Sequence, residues 1–425
     1  MNPPKALMSL EEAQQRMQQL AVQVRIQDIE TISTFDALGR VLAEPVLSQI
    51  DVPPGDNTSM DGYAVRVSDL ASPPTVLPVS QRIPAGVVGQ ALQPGTVARI
   101  FTGAQVPPGA DAVVMQELCE PLADGSQWGA VRLQTTPPVG QWIRRRGEDV
   151  RAGSAVLQAG LRLTPQALGL AASVGAADLK VVRRPRVALF STGDELVMPG
   201  EVQPRDLKPG AIYNSNRYTL RGLLQAAGCE VSDLGIVPDR LEATREVLRH
   251  AAQAHDLILT SGGVSVGEED HIKPAVKAEG ELDLWQLAIK PGKPLAFGSV
   301  RRSASPASKP GDCLFVGLPG NPVSSFVTFL VAVAPLLKTL QGQIQRGWAP
   351  QLLRADFDWL KPDKRREFLR VRLASDGSLE LFPNQSSGVL TSAVWADGLV
   401  DNPPSQAIER GQSVRFLPFS DLLHS

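Results

Sequence analysis

Short apolar runs alternate with amphipathic stretches between residues 183 and 341. The apolar runs end at small or polar residues and cover positions 187–190, 231–237, 257–259 and 314–318. Runs of this length bounded by turn residues are typical of buried strands. The stretches between them, 215–227 and 241–254, have helical periodicity. Strands that alternate with helices of ~10–15 residues predict a parallel α/β sheet, here with a hairpin formed by 284–289 and 295–299.

The rest of the chain has other patterns. Ser9 and Glu12 form a capping box before a first helix, and residues 51–140 are rich in Pro and Gly with short alternating runs. We therefore predict a multidomain α/β and β fold. Its parts are an N-terminal mixed domain (1–50 plus 141–182), an inserted small β domain (51–140), a parallel-sheet α/β domain (183–341) and a C-terminal β domain (342–425). Residues 180–185 are predicted to be a linker.

Composition narrows the class of protein. The net charge is −2 with both signs spread along the chain, which argues against nucleic-acid binding. The three cysteines form no C-x-x-C pair and the four histidines no cluster, which favours a reducing, cytoplasmic compartment without structural zinc or disulfides. The most apolar stretch, 326–337, is shorter than the ~20 residues of a membrane span, and Pro335 interrupts it. We expect no membrane segment and no signal peptide.

The sequence TSGGVSVGEED (260–270) follows the third predicted strand. Its glycines (Gly262, Gly263, Gly267) let backbone N–H groups approach an anion, and its hydroxyls (Thr260, Ser261, Ser265) add donors. The acids at 268–270 would repel a phosphate unless a cation lay between them, so the loop suggests a phosphate ester handled with Mg²⁺. The alternative is an ordinary solvent-exposed turn.

Four loops follow predicted strand ends: 191–195, 238–239, 260–270 and 319–322. The ends of parallel strands share one edge of a sheet, so these loops should converge on one crevice. Taken singly, Asp194 and Asp239 could be helix caps and Asn321-Pro322 an ordinary helix start. Lys290 and Lys293 flank a Pro-Gly turn and suggest an oxyanion site, with a solvated charged turn as the alternative.

Seven motifs carry a family resemblance. They are DNTSMDGYAVR (56–66), RIFTGAQVPPGADAVVMQE (99–117), RRRGEDV (144–150), FSTGDEL (190–196), TSGGVSVGEED (260–270), KPGKP (290–294) and GLPGNPVSS (317–325). In this order they resemble the bacterial molybdopterin molybdenumtransferases, a family that includes the plant molybdenum insertase domain and the E domain of gephyrin. The last ~85 residues resemble the family more loosely, through EFLRVRL (367–373) and Ser386-Ser387.

The resemblance implies that the parallel-sheet α/β domain (183–341) is a nucleotide/pterin-binding domain. It also implies an activity and an assembly. Members insert molybdate into adenylated molybdopterin with Mg²⁺ and release AMP, the final step of molybdenum cofactor biosynthesis. They form elongated homodimers whose site lies between the α/β domain of one subunit and the N-terminal domains of the other. We expect transient contact with the adenylyltransferase of the preceding step and with cofactor-delivery proteins, and no nucleic-acid or membrane partner. Because the pterin dithiolene attacks the metal, no nucleophilic side chain is required.

The resemblance also implies residue roles. The catalytic set is Asp61, Thr102, Asp149, Glu195, Asp239 and Asp270, of which Asp239 and Asp270 would hold Mg²⁺. The substrate-binding set is Thr192, Gly193, Ser261, Gly262, Gly263, Ser265, Gly267, Pro319, Asn321 and Pro322, with Lys290, Lys293, Arg370 and Ser387 expected to hold molybdate.

Two other functions compete. One is the adenylyltransferase of the preceding step, whose fold resembles the α/β domain, but that enzyme lacks the motifs around Asp61, Thr102 and Asp149. The other is a non-catalytic scaffold, which would have been free to lose the acids that this chain retains.

Overall fold

A mixed six-stranded sheet forms the centre of the molecule. The computed structural model describes residues 7–263, 271–302, 311–345 and 347–424. The strands are β1 (Arg186–Thr192), β2 (Glu230–Val237), β3 (Leu257–Ser261), β4 (Gly280–Gln286), β5 (Pro294–Val300) and β6 (Cys313–Leu318). Their order is β2-β1-β3-β6-β5-β4. The first four in this order are parallel to one another. β5 is antiparallel to β6, and β4 is antiparallel to β5. The predicted multidomain α/β fold is confirmed.

Both faces of this sheet are covered by helices. Successive side chains of β1 point to opposite faces and therefore belong to two different apolar clusters. Val187 and Leu189 belong to one apolar cluster, with the helices Ser215–Ala226 and Leu10–Gln23. Ala188 and Phe190 belong to the other, with the helices Leu241–Ala254 and Ile272–Glu279. This period of two is what a doubly covered strand requires.

A long core helix follows β6. It runs as an α-helix over Pro322–Thr328, as a π-helix over Phe329–Val333 and as an α-helix over Ala334–Leu340. Pro335 interrupts the apolar sequence but does not end the helix. Proline lacks the N–H that would bond to residue 331, and the carbonyl of Val331 instead accepts a hydrogen bond from Gln14 Nε2 at 2.6 Å.

This helix also bears on the membrane question. Among the described residues, Pro322–Leu340 is the one helix long and apolar enough to cross a membrane, with a mean hydropathy of 1.8. Inside the fold, however, 78% of the window tested is buried. The helix is thus packed as the core helix of a globular domain, chiefly against the N-terminal helix and the sheet.

The N-terminal part pairs segments that are distant in sequence. Ile29–Ser33 lies antiparallel to Asp178–Val182, and Val46–Leu47 pairs with Ala155–Leu157. The predicted linker at 180–185 is therefore wrong over its first three residues, which are in a strand. The helix Pro165–Ser173 packs over these strands, with the Thr164 side chain as its N-cap.

Residues 62–133 form a second six-stranded sheet. In spatial order its strands are Ala112–Met115, Gly62–Val65, Val97–Ile100, Thr75–Ile83, Ala130–Leu133 and Cys119–Leu122. A Cβ at Gly62 would lie 2.0 Å from the carbonyl oxygen of Val114, so only glycine fits at this crossing. Asn57–Thr58 pairs with Ile143–Arg144 at the base of this sheet.

The C-terminal sheet contains one strand from the preceding domain. Its order is Ile289–Lys290, Arg366–Leu373, Gly398–Asn402, Ser413–Pro418 and Gln351–Arg354, and Leu379–Leu381 also pairs with Arg366–Leu373. The short helices Thr391–Trp395 and Phe419–His424 accompany it. The pairing of Ile289–Lys290 with Arg366–Leu373 is parallel and joins the two domains.

Smaller elements complete the chain. These are the parallel pair Leu196–Val197 with Ile212–Tyr213 and the 3₁₀ turns Thr34–Asp36, Val67–Asp69, Gln116–Leu118 and Pro204–Asp206.

Candidate functional site

A cleft of about 990 Å³ lies at the carboxyl ends of β1, β2, β3 and β6. We call it the cleft; it is bounded by the loops that follow these strands, by Lys290 to Pro294, by residues 212–216, and by Arg365 and residues 385–388 of the C-terminal domain. Loops after parallel strands share one edge of the sheet, which is why they meet here. Each of the four loops predicted to converge contributes residues to the cleft.

Many of the residues predicted from the sequence line the cleft. They are Thr192, Gly193, Glu195, Asp239, Ser261, Gly262, Gly263, Lys290, Lys293, Pro319, Asn321, Pro322 and Ser387. Ser265, Gly267 and Asp270 lie outside the described residues. Of the two predicted Mg²⁺ ligands, the structure therefore describes Asp239 only.

The β1 loop brings the carboxylate of Glu195 close to its own backbone. Gly193 has a φ of +142°, and a Cβ there would lie 2.5 Å from Glu195 Oε2. A side chain at position 193 would displace this carboxylate, so the glycine is needed for the close approach. After this turn the chain enters the strand Leu196–Val197, so the alternative role of Asp194 as a helix cap is wrong.

Asp239 is not the N-cap that was its alternative role, whereas Asn321-Pro322 does start a helix, without a side-chain cap. The residue before the helix Leu241–Ala254 is Arg240, and no side-chain cap is formed. Asn321 precedes Pro322–Thr328 but makes no capping hydrogen bond either. Both side chains line the cleft and are free of this local hydrogen bonding.

Three cations line the cleft, and two of them are paired. Lys290 Nζ lies 3.2 Å from Glu367 Oε1 and 3.6 Å from Asp363 Oδ2. Arg365 pairs with Asp363 at 2.9 Å, and the hydrogen bonds from Arg365 hold the pKa of Asp363 well below its usual range. Lys293 is exposed and makes no ion pair with any described residue. Lys293 therefore has the charge most available to an incoming anion.

Glu367 holds Lys290 in position through an ion pair. It is fully buried and accepts hydrogen bonds from Trp359 Nε1 at 2.8 Å and Asn402 Nδ2 at 3.4 Å as well as from the lysine. The strand register places it directly opposite, since Lys290 and Glu367 are paired residues.

Arg370 lies behind the cleft rather than in its lining. Its side chain is almost fully buried and donates to Ser392 Oγ at 3.1 Å, Phe368 O at 3.2 Å and Ser386 O at 3.3 Å. Burial lowers the pKa of Arg370 to about 10, so it is still a cation at neutral pH. Through Ser386 it holds the loop that presents Ser387, whose carbonyl accepts from Val323 N at 3.0 Å.

Asp61, Thr102 and Asp149 do not line the cleft of their own chain. Asp61 Oδ1 accepts hydrogen bonds from the backbone N–H and the hydroxyl of Thr102, both at 2.8 Å. These bonds, that from the backbone first, lower the pKa of Asp61. Asp149 is exposed on the neighbouring loop.

The cleft also contains residues outside the predicted set of site residues. They are Leu196, Ile212, Tyr213, Asn214, Ser215, Asn216, Ser324, Arg365, Gln385, Ser386 and five glycines and prolines of the loops, Pro291, Gly292, Pro294, Gly320 and Gly388. Asn214 could have been found from the sequence, because an asparagine directly before a helical stretch is a common N-cap and helix N-termini bind anions.

Family models cover most of the chain. Residues 8–175 match the MoeA N-terminal region (domain I and II), residues 188–339 a probable molybdopterin binding domain, and residues 353–419 the MoeA C-terminal region (domain IV). The molybdopterin molybdenumtransferase of Haemophilus influenzae is 40% identical over 405 residues, which are 93% of this chain and 95% of that protein. The chain belongs to the molybdopterin molybdenumtransferase family. It is a transferase, and both predictions are confirmed.

Other relatives agree with this membership. The molybdopterin molybdenumtransferase of Nostoc is 38% identical over 80% of this chain and 76% of its own length. A crystal structure of the molybdopterin biosynthesis MoeA protein of Pyrococcus horikoshii is 31% identical, with a TM-score of 0.75 over 97% of this chain and 99% of that one. A second structure from this organism is 27% identical, with a TM-score of 0.81 over 97% and 100%.

Proposed function

We propose that this chain inserts molybdate into adenylated molybdopterin and releases AMP, in a step that depends on Mg²⁺. Its membership of the family supports a role in molybdenum cofactor biosynthesis. The observation that carries the finer proposal is the chemistry of the cleft, where donors for a phosphate and cations for an oxyanion are in one cavity.

The strand-end side of the cleft suits a pyrophosphate. Gly262 has a φ of +89°, a conformation that glycine adopts without strain, and the neighbouring Ser261 and Thr192 provide hydroxyls. Backbone N–H groups in such loops and at helix N-termini bind phosphate oxygens. We propose that the pyrophosphate of the adenylated substrate binds on this side of the cleft.

The other side suits molybdate, a tetrahedral dianion. Lys293 offers an ammonium group that no described acid neutralises, Lys290 lies on the same Pro-Gly turn, and Ser387 lines the same cleft. Ammonium groups bind such oxyanions as compact point charges.

The described donors fit a bound Mg²⁺. No group of three or more His, Cys, Asp or Glu side chains able to hold a metal occurs among the described residues. Mg²⁺ nevertheless needs only one or two carboxylates when substrate phosphates complete its shell. Asp239 and Glu195 line the cleft, and we propose that Asp239 holds the ion together with Asp270. When bound, the ion would neutralise charge on the pyrophosphate.

We propose further that the active form is a homodimer in which a second copy supplies Asp61, Thr102 and Asp149. None of these residues lines the cleft of the same chain. The N-terminal segment also exposes large apolar side chains, with Phe35 91% exposed, Leu38 55% and Leu47 56%. Apolar surface of this kind marks association sites. A cytoplasmic location and contact with the preceding adenylyltransferase and delivery proteins belong to the same proposal.

The direct test supplies the purified chain with adenylated molybdopterin, molybdate and Mg²⁺ and follows AMP and active cofactor. AMP should appear only when molybdate is present. Release at the same rate without molybdate would overturn the proposal. A product formed from ATP and bare molybdopterin would point to the adenylyltransferase instead.

Lys293→Ala tests the oxyanion assignment. Loss of an unneutralised ammonium from the cleft should raise the KM for molybdate by about tenfold, the worth of one charge-assisted contact. Lys361→Ala removes an exposed lysine from the C-terminal domain, outside the cleft, and is the matched control. An unchanged KM in Lys293→Ala would remove this lysine from the molybdate site.

A further inference from the structure

Unpaired buried polar atoms concentrate around the cleft. Two of those in the described part of the chain, Asn214 Nδ2 and Asn216 Oδ1, belong to residues that line it. Thr328 Oγ1 is a third, since a Cβ at the cleft residue Gly292 would lie 2.3 Å from it. Buried polar groups are normally paired, so each of these atoms needs an explanation.

In each of the two asparagine carboxamides, one atom is hydrogen-bonded and the other is unpaired. Asn214 is 2% exposed, and its Oδ1 accepts from Arg217 N at 3.1 Å as the N-cap of the helix Ser215–Ala226. Asn216 is 8% exposed, and its Nδ2 donates to Gly320 O at 2.7 Å. These bonds fix the orientation of both carboxamides, so what remains is one N–H donor on Asn214 and one carbonyl acceptor on Asn216.

The short strand pair beside them presents apolar side chains to the cleft. Leu196 and Ile212 are paired residues of the short parallel strands and both line the cleft. Tyr213 lines it too, with its hydroxyl bonded to Val202 O at 2.6 Å. The nearest cation in sequence, Arg217, is held by Asp233 at 2.6 Å. Apolar side chains with neutral amides suit a flat heterocycle better than a phosphate.

From this arrangement we infer that Asn214 and Asn216 bind the hydrogen-bonding edge of the substrate's heterocycle. The edge must present an acceptor to Asn214 Nδ2 and a donor to Asn216 Oδ1. The lactam edge of a pterin and the amidine edge of adenine both do so, and the adenylated substrate contains both rings. Solvent does not reach either atom, so a ligand contacts them as the cleft wall adjusts around it. The inference rests on the proposed function and assigns a subsite within it.

The experiment measures binding of AMP and of free pterin to the full-length chain by calorimetry. Asn214→Asp keeps an acceptor for the helix cap and removes the donor. Asn214→Ser also keeps a cap acceptor without adding charge, and its shorter side chain places no N–H at the position of Nδ2. Each should weaken binding of one probe by about tenfold or more. Thr164→Asp is the control, because it adds an acid at the N-cap of Pro165–Ser173, far from the cleft lining.

The outcome also identifies the ring. A loss confined to pterin assigns the subsite to the pterin, and a loss confined to AMP assigns it to adenine. Wild-type affinity for both probes in both Asn214 variants overturns the inference, as does failure of the wild-type chain to bind either probe. If the wild-type chain releases AMP with molybdate while the variants bind normally, the subsite fails and the proposed function stands. If it releases none, the proposed function fails by itself.

Discussion

Glu367 shows how one buried residue controls the charge that the cleft presents. Its carboxylate accepts hydrogen bonds from Lys290, Trp359 and Asn402, which lie in three separate segments of the chain. Because it offsets the charge of Lys290, the net positive charge near the Pro-Gly turn is mainly that of Lys293. A buried carboxylate is stable only when its partners are complete, so this group couples the shape of the cleft to the stability of the C-terminal sheet.

Glu367→Gln should lower the free energy of unfolding by about 2 kcal/mol. A glutamine has one acceptor oxygen, so either Lys290 or Trp359 loses its partner. Glu380→Gln is the control, since Glu380 forms an exposed pair with Arg372 and should change stability by only about 0.5 kcal/mol. Denaturant unfolding of the three proteins makes the comparison. Equal midpoints would mean that Glu367 has no special structural role.

Among single residues, the sequence predicted the cleft positions of those that follow strand ends, such as Thr192, Ser261 and Asn321. Their place at the sheet edge follows from the local order of strands and loops along the chain. It did not predict Arg365 or Asn216, which reach the cleft through the approach of a second domain and through a helix N-terminus. Nor could it predict that Arg370 lies behind the lining, because burial of an arginine depends on the packing of the whole sheet.

Among the elements, those with strong periodicity were predicted well and those that depend on distant partners were not. Leu241–Ala254 has the predicted bounds because its apolar face is evident in sequence. Residues 180–182 of the strand Asp178–Val182 were assigned to a linker because the partner strand, Ile29–Ser33, lies about 150 residues earlier. The core helix continues past Pro335 because Gln14, in another helix, pairs with the carbonyl that the proline frees.

Gln14→Met tests this contact between helices. Removing the donor leaves the carbonyl of Val331 buried without its partner and should lower the free energy of unfolding by about 1 kcal/mol. Gln15→Met makes the same replacement at an exposed neighbouring position and should have almost no effect. Thermal unfolding measures both. A similar loss in the two variants would show that the helix surface, rather than this bond, accounts for the change.

For the whole molecule, the fold was predicted to its main layers, whereas the proposed composition of the site depends on the proposed homodimer. Asp61 and Thr102 hydrogen-bond to each other in the inserted sheet, and Lys293 lines the cleft of the α/β domain. If two copies form each site, every cleft needs residues from both chains, as a two-fold symmetric pair allows.

Co-expression of Asp61→Asn with Lys293→Ala tests this arrangement. Random pairing yields half mixed dimers, each with one intact site of two, so the activity should return to about a quarter of the wild-type value although each variant alone is weak. A site contained in one chain would give no recovery. AMP release by the purified mixture is the measurement, and the sum of the separate variants is the baseline.

The strand Ile289–Lys290 affects whether the C-terminal domain can be produced as a separate soluble fragment. It covers the backbone edge of Arg366 and Glu367, where Arg366 N donates to Ala288 O at 2.9 Å. A fragment that begins after the core helix would lack this strand and expose that edge. Uncovered strand edges pair with other strands, so the C-terminal domain expressed by itself should self-associate, and a soluble fragment must include residues 289–290 or a substitute for them.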